Sequence, residues 1–173
     1  LDDMIADVLT LSRLEHSKSA FSAENIELRS LTDQVISDCQ YYANSKNITI
    51  NLLGSNSFYI LADSKLLASA ISNIINNAIK YSPTDQEIDV QIAQISHQVQ
   101  LVIKDNGPGV PDDVLEKLFS PFFRVADARD RNSGGTGLGL AIALQAIQLH
   151  HGEIFAQNHP HGGLIVTITL PSE

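Results

Sequence analysis

Three clusters between Asn73 and Leu140 carry the residue types with the most chemistry. Asn73, Asn77 and Lys80 stand four and three residues apart, so a helix sets them in one row on one side. Two readings are open for that row. It is the solvated edge of an amphipathic helix, or it is a magnesium and phosphate site. Mg²⁺ takes oxygen ligands, keeps several waters and is often held by one protein group plus substrate phosphates. A neutral Asn oxygen does this without repelling a triphosphate, and Lys80 would offset phosphate charge. The second cluster, Asp105-Asn106-Gly107-Pro108-Gly109, follows an alternating apolar stretch. Asp105 is either a plain turn former or a carboxylate able to accept a hydrogen bond from an adenine amino group, with Gly107 and Gly109 letting backbone approach a flat ring. The third cluster, Gly135-Thr136-Gly137-Leu138-Gly139-Leu140, opens a helix, and exposed N–H groups at a helix start bind phosphate. It has neither Walker nor Rossmann spacing. Six of the ten glycines lie between Gly107 and Gly139. That density indicates backbone close to a ligand, or a loop that moves.

The elements around these clusters read as follows. Residues 1–15 form a helix with Leu1, Met4, Val8 and Leu11 at heptad spacing and Ile5 and Leu14 widening the stripe. A helix of about 15 residues is marginal alone, so the stripe is expected to pack outside the core, on a partner helix. Folding back on the same domain is the alternative. Residues 16–24 are a polar linker. Ile26 and Leu28 suggest a strand, and Leu31, Val35, Ile36, Cys39 and Tyr42 recur at helical spacing over residues 30–45. Strands are expected at residues 48–52 and 58–61. Asp63 reads as the N-cap of a helix that ends before Pro83. Residues 88–92 and 99–103 alternate as a hairpin turning near His97. Residues 106–136 read as a long loop with a short helix near 112–118. A last helix over 137–151 stops at Gly152, and two strands flank the turn at Pro160-His161-Gly162-Gly163. This order gives an α+β two-layer sandwich.

Composition narrows the function. A chain of 173 residues with a formal charge of −9 lacks the basic balance of a nucleic-acid binder, though local donors suffice for a nucleotide. No apolar run reaches membrane-spanning length. Cys39 is the one cysteine, set on the apolar side of a helix, and reads as a buried structural thiol in a reducing compartment. Residue 1 already sits inside a helical pattern, which suggests a piece of a longer chain.

The clusters together carry a resemblance. Asn73-Ile-Ile-Asn76-Asn77-Ala-Ile-Lys80-Tyr81-Ser82 resembles the N box of bacterial sensor histidine kinases. Asp105-Asn106-Gly107-Pro108-Gly109 resembles their G1 box, Phe119-Ser120-Pro121-Phe122-Phe123-Arg124 the F box, and Gly135 to Leu140 the G2 box. The four stand in family order, over about residues 25–171. Ala128-Arg129-Asp130-Arg131 and Ile147-Gln148-Leu149-His150-His151-Gly152 further resemble Cpx-type envelope-stress kinases.

The resemblance implies the Bergerat ATP-binding fold shared with gyrase-type and Hsp90-type ATPases: a mixed sheet packed on about three helices, with a flexible ATP lid. It implies ATP and Mg²⁺ as cofactors. Asn77 would hold the metal, with Asn73, Lys80 and Tyr81 near the phosphates or ribose. Asp105, beside Gly107 and Gly109, would read adenine. The loop Gly135, Thr136, Gly137, Leu138, Gly139, Leu140 would close on the phosphates together with Arg124. Asn77, Lys80 and Arg124 would be the catalytic residues. Residues 1–16 resemble the end of a dimerisation and phosphoacceptor hairpin, 17–24 a linker, and 25–173 the ATP-binding domain. The implied partners are that hairpin domain, in a homodimer, and a response regulator, with no nucleic acid and no direct membrane contact. The implied location is the cytoplasmic side of an inner-membrane sensor.

His16, His97, His150, His151, His159 and His161 all lack the context of the family's phosphoacceptor. They read as surface or capping residues, so the chain is expected to phosphorylate only a supplied hairpin. Two other function classes stand beside the kinase: a nucleotide-binding interaction module without turnover, and an ATPase clamp of the gyrase or Hsp90 kind. The clamp is disfavoured by the joint N and F boxes and by the leading heptad helix.

Overall fold

Apolar side chains at helical and alternating spacing build one sheet and the helices that cover it. In this computed structural model, which describes residues 2–16, 21–125 and 135–172, α1 is Asp2–His16, α2 Leu28–Ser45, α3 Ser64–Tyr81 and α4 Gly139–Leu149. The strands are β1 Glu24–Glu27, β2 Thr49–Leu53, β3 Tyr59–Ala62, β4 Glu87–Ile95, β5 Gln98–Lys104, β6 Glu153–Asn158 and β7 Leu164–Pro171. Five strands pair in the order β2-β4-β5-β7-β6, and β1 pairs with β3 as a separate ribbon. Only β2 and β4 run parallel within the five-stranded sheet. Parallel neighbours need a crossover, and β3 with α3 supplies it.

Ile88 and Val90 on β4, and Val99, Leu101 and Ile103 on β5, join Ile71, Ile75, Ile79 and Ile147 of α3 and α4 in the main core. Cys39 of α2 lies in the same core, 3.9 Å from Ser72 Oγ, and burial pushes its thiol pKa up, as a structural thiol requires. The result is an α+β two-layer sandwich, a mixed sheet under α2, α3 and α4.

Caps decide several boundaries. Asp63 accepts from the N–H groups of Lys65 and Leu66, both at 3.1 Å, and starts α3 as its sequence position indicates. Glu27 accepts from Arg29 and Ser30 at 3.0 and 2.8 Å, so α2 begins at Leu28 rather than at Ser30 and β1 ends one residue earlier than expected. β1 itself begins at Glu24, and Ser22 donates its N–H to Asp63 at 3.0 Å, so the chain is tied to the domain body ahead of residue 25. The α4 helix starts at Gly139, not Gly137, because Gly137 has φ +73°, a left-handed conformation outside the helical region. The helix expected near residues 112–118 is two short 3₁₀ turns, Asp112–Val114 and Glu116–Phe119. The N–H groups of Val114 and Leu118 bond the carbonyls of Pro111 and Leu115, three residues back.

Two expectations are corrected. The α1 stripe does not pack wholly outside this chain: Leu11 and Leu14 are buried against Leu138, Ala141 and Ile142, the last two on α4. Met4, Ile5, Val8 and Leu9 remain exposed. His150 is the C-cap residue of α4, as the capping reading has it, but it is not a surface residue. It is 6% exposed, its Nε2 accepts the Asp63 N–H at 3.0 Å, and its Nδ1–H donates to the Ala146 carbonyl at 2.6 Å. Among the described residues no helix is long and apolar enough to cross a membrane. Residues 126–134, the polar stretch between Arg124 and the glycine run where the flexible lid is expected, lie outside the described residues, as do Leu1, residues 17–20 and Glu173.

Candidate functional site

The wide apolar face of α3 turns its opposite edge toward a cavity of about 380 Å³, in the range of small-ligand sites. Asn73, Asn77, Lys80 and Tyr81 line that edge. Asn73 donates to the Ser69 carbonyl at 3.0 Å, which leaves its oxygen toward the cavity side. Asn77 makes no side-chain hydrogen bond to any described residue, so its amide oxygen is available to a ligand. The Lys80 ammonium stands 5.1 Å from the Tyr81 ring centroid, a cation–π distance.

The floor comes from the end of β5. The Asp105 N–H donates to the Leu164 carbonyl at 3.0 Å, which carries the β5–β7 pairing one step beyond Lys104 and Ile165. Asp105 Oδ1 accepts from the N–H groups of Gly107 and Leu164, at 2.8 and 3.0 Å. Its Oδ2 has no hydrogen-bond donor among the described residues, although the residue is 4% exposed. Burial raises the carboxyl pKa, and the N–H groups of Leu164 and Gly107 pull against that rise.

The third wall is the glycine run. A Cβ on Gly135 would stand 2.7 Å from Lys80 Nζ, and one on Gly139 would stand 3.0 Å from Asn73 Oδ1. A side chain at either position would push the Lys80 ammonium or the Asn73 amide aside, so the glycines let the backbone come close to α3 with those side chains in place. The Gly137 carbonyl accepts the Phe122 N–H at 2.9 Å, which ties the glycine run to the aromatic segment carrying Arg124. The first-turn N–H groups of α4 have no partner within the helix, the donor set that holds phosphate. Thr136 spans two elements. Its Oγ1 accepts the Leu138 N–H at 3.2 Å and donates to Asp7 Oδ2 of α1 at 2.7 Å.

Asn73, Asn77, Lys80, Tyr81, Asp105, Gly109, Arg124, Gly135, Thr136, Gly137, Gly139 and Leu140 are thus brought together around one cavity. Gly107 and Leu138 are not on its wall. Gly107 is packed beneath the Tyr81 carbonyl, where a Cβ would come within 2.9 Å. Leu138 is fully buried in the α1–α4 cluster, because its apolar side chain is drawn to Leu11 and Leu14. The F-box residue Phe123 is on the wall, while the sequence reading missed Val110, Leu118 and Leu164 there, and Asp3 and Asp7 reaching it from α1. It also missed Asn158, whose Oδ1 accepts the Val110 N–H at 2.9 Å while its Nδ2 donates to the Val110 carbonyl at 2.7 Å. Leu164 alone had a local signal: the preceding Gly163 has φ +98°, and a Cβ there would strike the Asp105 carbonyl at 2.0 Å.

Comparison with known proteins shows the family of the chain. The family profile for "Histidine kinase-, DNA gyrase B-, and HSP90-like ATPase" matches residues 62–173. The sensor histidine kinase CpxA of Escherichia coli (strain K12) is 39% identical over 173 residues, covering 99% of this chain and 37% of that protein. The chain therefore spans just over a third of the length of that curated relative. Full-length ShkA in complex with AMPPNP superposes with a TM-score of 0.82 at 25% identity, over 98% of this chain and 35% of that one. The nucleotide-free catalytic domain of histidine kinase ThkA gives 0.77 at 25% identity, over 87% of this chain and 96% of that one. This chain belongs to the histidine kinase-, DNA gyrase B- and HSP90-like ATPases, and its named relatives are sensor histidine kinases.

Proposed function

We propose that this chain is the catalytic domain of a two-component sensor histidine kinase, transferring the γ-phosphoryl group of Mg-ATP to a histidine on a dimerisation and phosphoacceptor hairpin. The observation that carries the reading is Asp105. A buried carboxylate with one oxygen held by two N–H groups and the other without a donor fits an exocyclic amino group at the cavity floor. Adenine supplies that donor; guanine presents a carbonyl at the corresponding place.

The remaining roles follow from position. Asn77 offers a neutral amide oxygen on the cavity wall, which fits a magnesium ion shared with phosphates. Bound there, the metal would neutralise charge on the phosphate oxygens. Lys80 lies against Gly135 and would do the same from the α3 side, with Arg124, also on the cavity wall, adding a second positive charge. The acceptor imidazole nitrogen would attack the γ-phosphorus, and the bond from that phosphorus to the bridging oxygen would break, releasing ADP. This domain would contribute positioning and charge stabilisation. Its partners would be the hairpin domain and a response regulator, in a protein anchored as an inner-membrane sensor.

A thermal-shift titration with ATP, ADP and GTP, with and without Mg²⁺, tests the reading. Ligand at about 100 times its Kd adds roughly 2.7 kcal/mol of stability. Adenine nucleotides should shift the wild type and not Asp105→Ala, and GTP should shift neither. Equal shifts by GTP and ATP would remove the role given to Asp105. With a supplied hairpin, Asn77→Ala should abolish transfer, and near-normal transfer would remove Asn77 from the metal site.

A further inference from the structure

Lys46 stands at the C-terminal end of α2, outside the cavity, and its ammonium reaches under the last turn of α3. Its Nζ donates to the carbonyls of Ile79 at 2.7 Å, Lys80 at 2.9 Å and Ser82. An ammonium has three donors, and all three are used on one helix end. The Ile79 and Lys80 carbonyls, in the last turn, have no partner within the helix and carry the negative end of its dipole, and the Ser82 carbonyl belongs to the C-cap residue that follows. The turn that holds Lys46 is itself fixed to the far side of α3. The Asp85 N–H donates to the Lys46 carbonyl at 3.1 Å, and Asn47 Nδ2 donates to Asp85 Oδ1 at 2.6 Å.

The pinned carbonyls flank Tyr81. They fix the backbone of Lys80, whose ammonium lies where a Cβ on Gly135 would come within 2.7 Å, and of Tyr81, whose carbonyl packs on Gly107. A small rotation of this last turn would move Lys80 off the glycine wall. Asp105 and Asn73 are held by other contacts and would stay in place.

We infer that Lys46 is a positioning residue for nucleotide binding: it sets the Lys80–Tyr81 end of α3 against the glycine loop and so acts on the phosphates of the ligand, not on the adenine. This rests on the nucleotide-site reading above.

The test measures binding of Mg-AMPPNP and of adenosine by calorimetry or ligand-observed NMR, well below each melting temperature. The wild-type arm checks the underlying reading, since a wild type that binds neither ligand would overturn both. Given wild-type binding, Lys46→Met should weaken AMPPNP by about tenfold and adenosine by less than about threefold. Lys46→Arg keeps the charge, but its planar fork does not match three carbonyls arranged around an ammonium. It should fall between the two, with adenosine unchanged. Equal weakening of both ligands would mean Lys46 is merely structural, and wild-type AMPPNP affinity in Lys46→Met would overturn the inference outright. Should Lys46→Met fail to fold, Lys46→Arg decides alone, and wild-type affinity for AMPPNP in it refutes the positioning role.

Discussion

Asn158, half-buried, and Ser82, buried, show how differently two polar side chains near one cavity can behave. Asn158 uses its whole amide on the segment after the first glycine pair, holding the N–H and the carbonyl of Val110 and donating to Asp112 Oδ1 at 2.6 Å. In effect it replaces a strand that the segment lacks. Truncating it removes the partners of two half-buried backbone groups, which water then satisfies only in part, below the full penalty of about 1–3 kcal/mol for a buried group left unpaired. Asn158→Ala should therefore lower the melting temperature and weaken adenine nucleotides, because Val110 lines their cavity. Unchanged affinity alongside a lowered melting temperature would confine Asn158 to stability. Ser82 is 2% exposed, and its hydroxyl has no partner among the described residues. A buried hydroxyl without a partner pays desolvation and gains nothing in return. Ser82→Ala should then be neutral or stabilising in a melting measurement, and a clear loss of stability would show that the hydroxyl has a partner in solution.

At the level of elements, the loops around the cavity close on their neighbours at glycines that leave little or no room for a methyl group. Gly163 is the extreme case, with φ +98° and the Asp105 carbonyl 2.0 Å from where a Cβ would sit. Gly163→Ala should cost more than the roughly 1 kcal/mol typical of single substitutions and should displace Asp105, so nucleotide-induced stabilisation would fall with the melting temperature. Retention of both would mean the β6–β7 turn relaxes freely. Local rules made much of this architecture legible: Asn and Lys at helical spacing, an acid after an alternating strand, glycines opening a helix. Each is set by neighbours within a few residues. Contacts made over long sequence distances were not legible. Asn158 reaches Val110 across 48 residues, and Thr136 reaches Asp7 across 129. The apolar stripe of α1 also looked the same for a partner helix as for α4, since periodicity names a buried face and not the surface that covers it. The start of α4 was misplaced by two residues because the left-handed Gly137 belongs to the loop's packing on Phe122.

At the scale of the whole molecule, one acid joins the parts that the cavity does not. Asp63 caps α3 through Lys65 and Leu66, accepts the Ser22 N–H from the segment leading to β1, and gives its own N–H to His150 at the end of α4. Phe21 stacks edge-on against the same His150 ring, 4.9 Å between centroids. Burial raises the Asp63 carboxyl pKa, but the N–H groups of Ser22, Leu66 and Lys65 outweigh it and hold the pKa below the ordinary aspartate value. A carboxylate whose folded pKa is depressed contributes stability above its unfolded pKa, about 3.9, and loses it as pH falls through the folded value. Asp63→Asn keeps an N-cap but has no proton to release. The variant should melt below the wild type at pH 7, and the gap should shrink as pH drops below about 4. Comparing the two proteins at each pH cancels most of the acid sensitivity of the other carboxylates. A gap that stays constant down to pH 2 would show that the capping geometry alone, and not the ionised carboxylate, ties the entry segment to both helices.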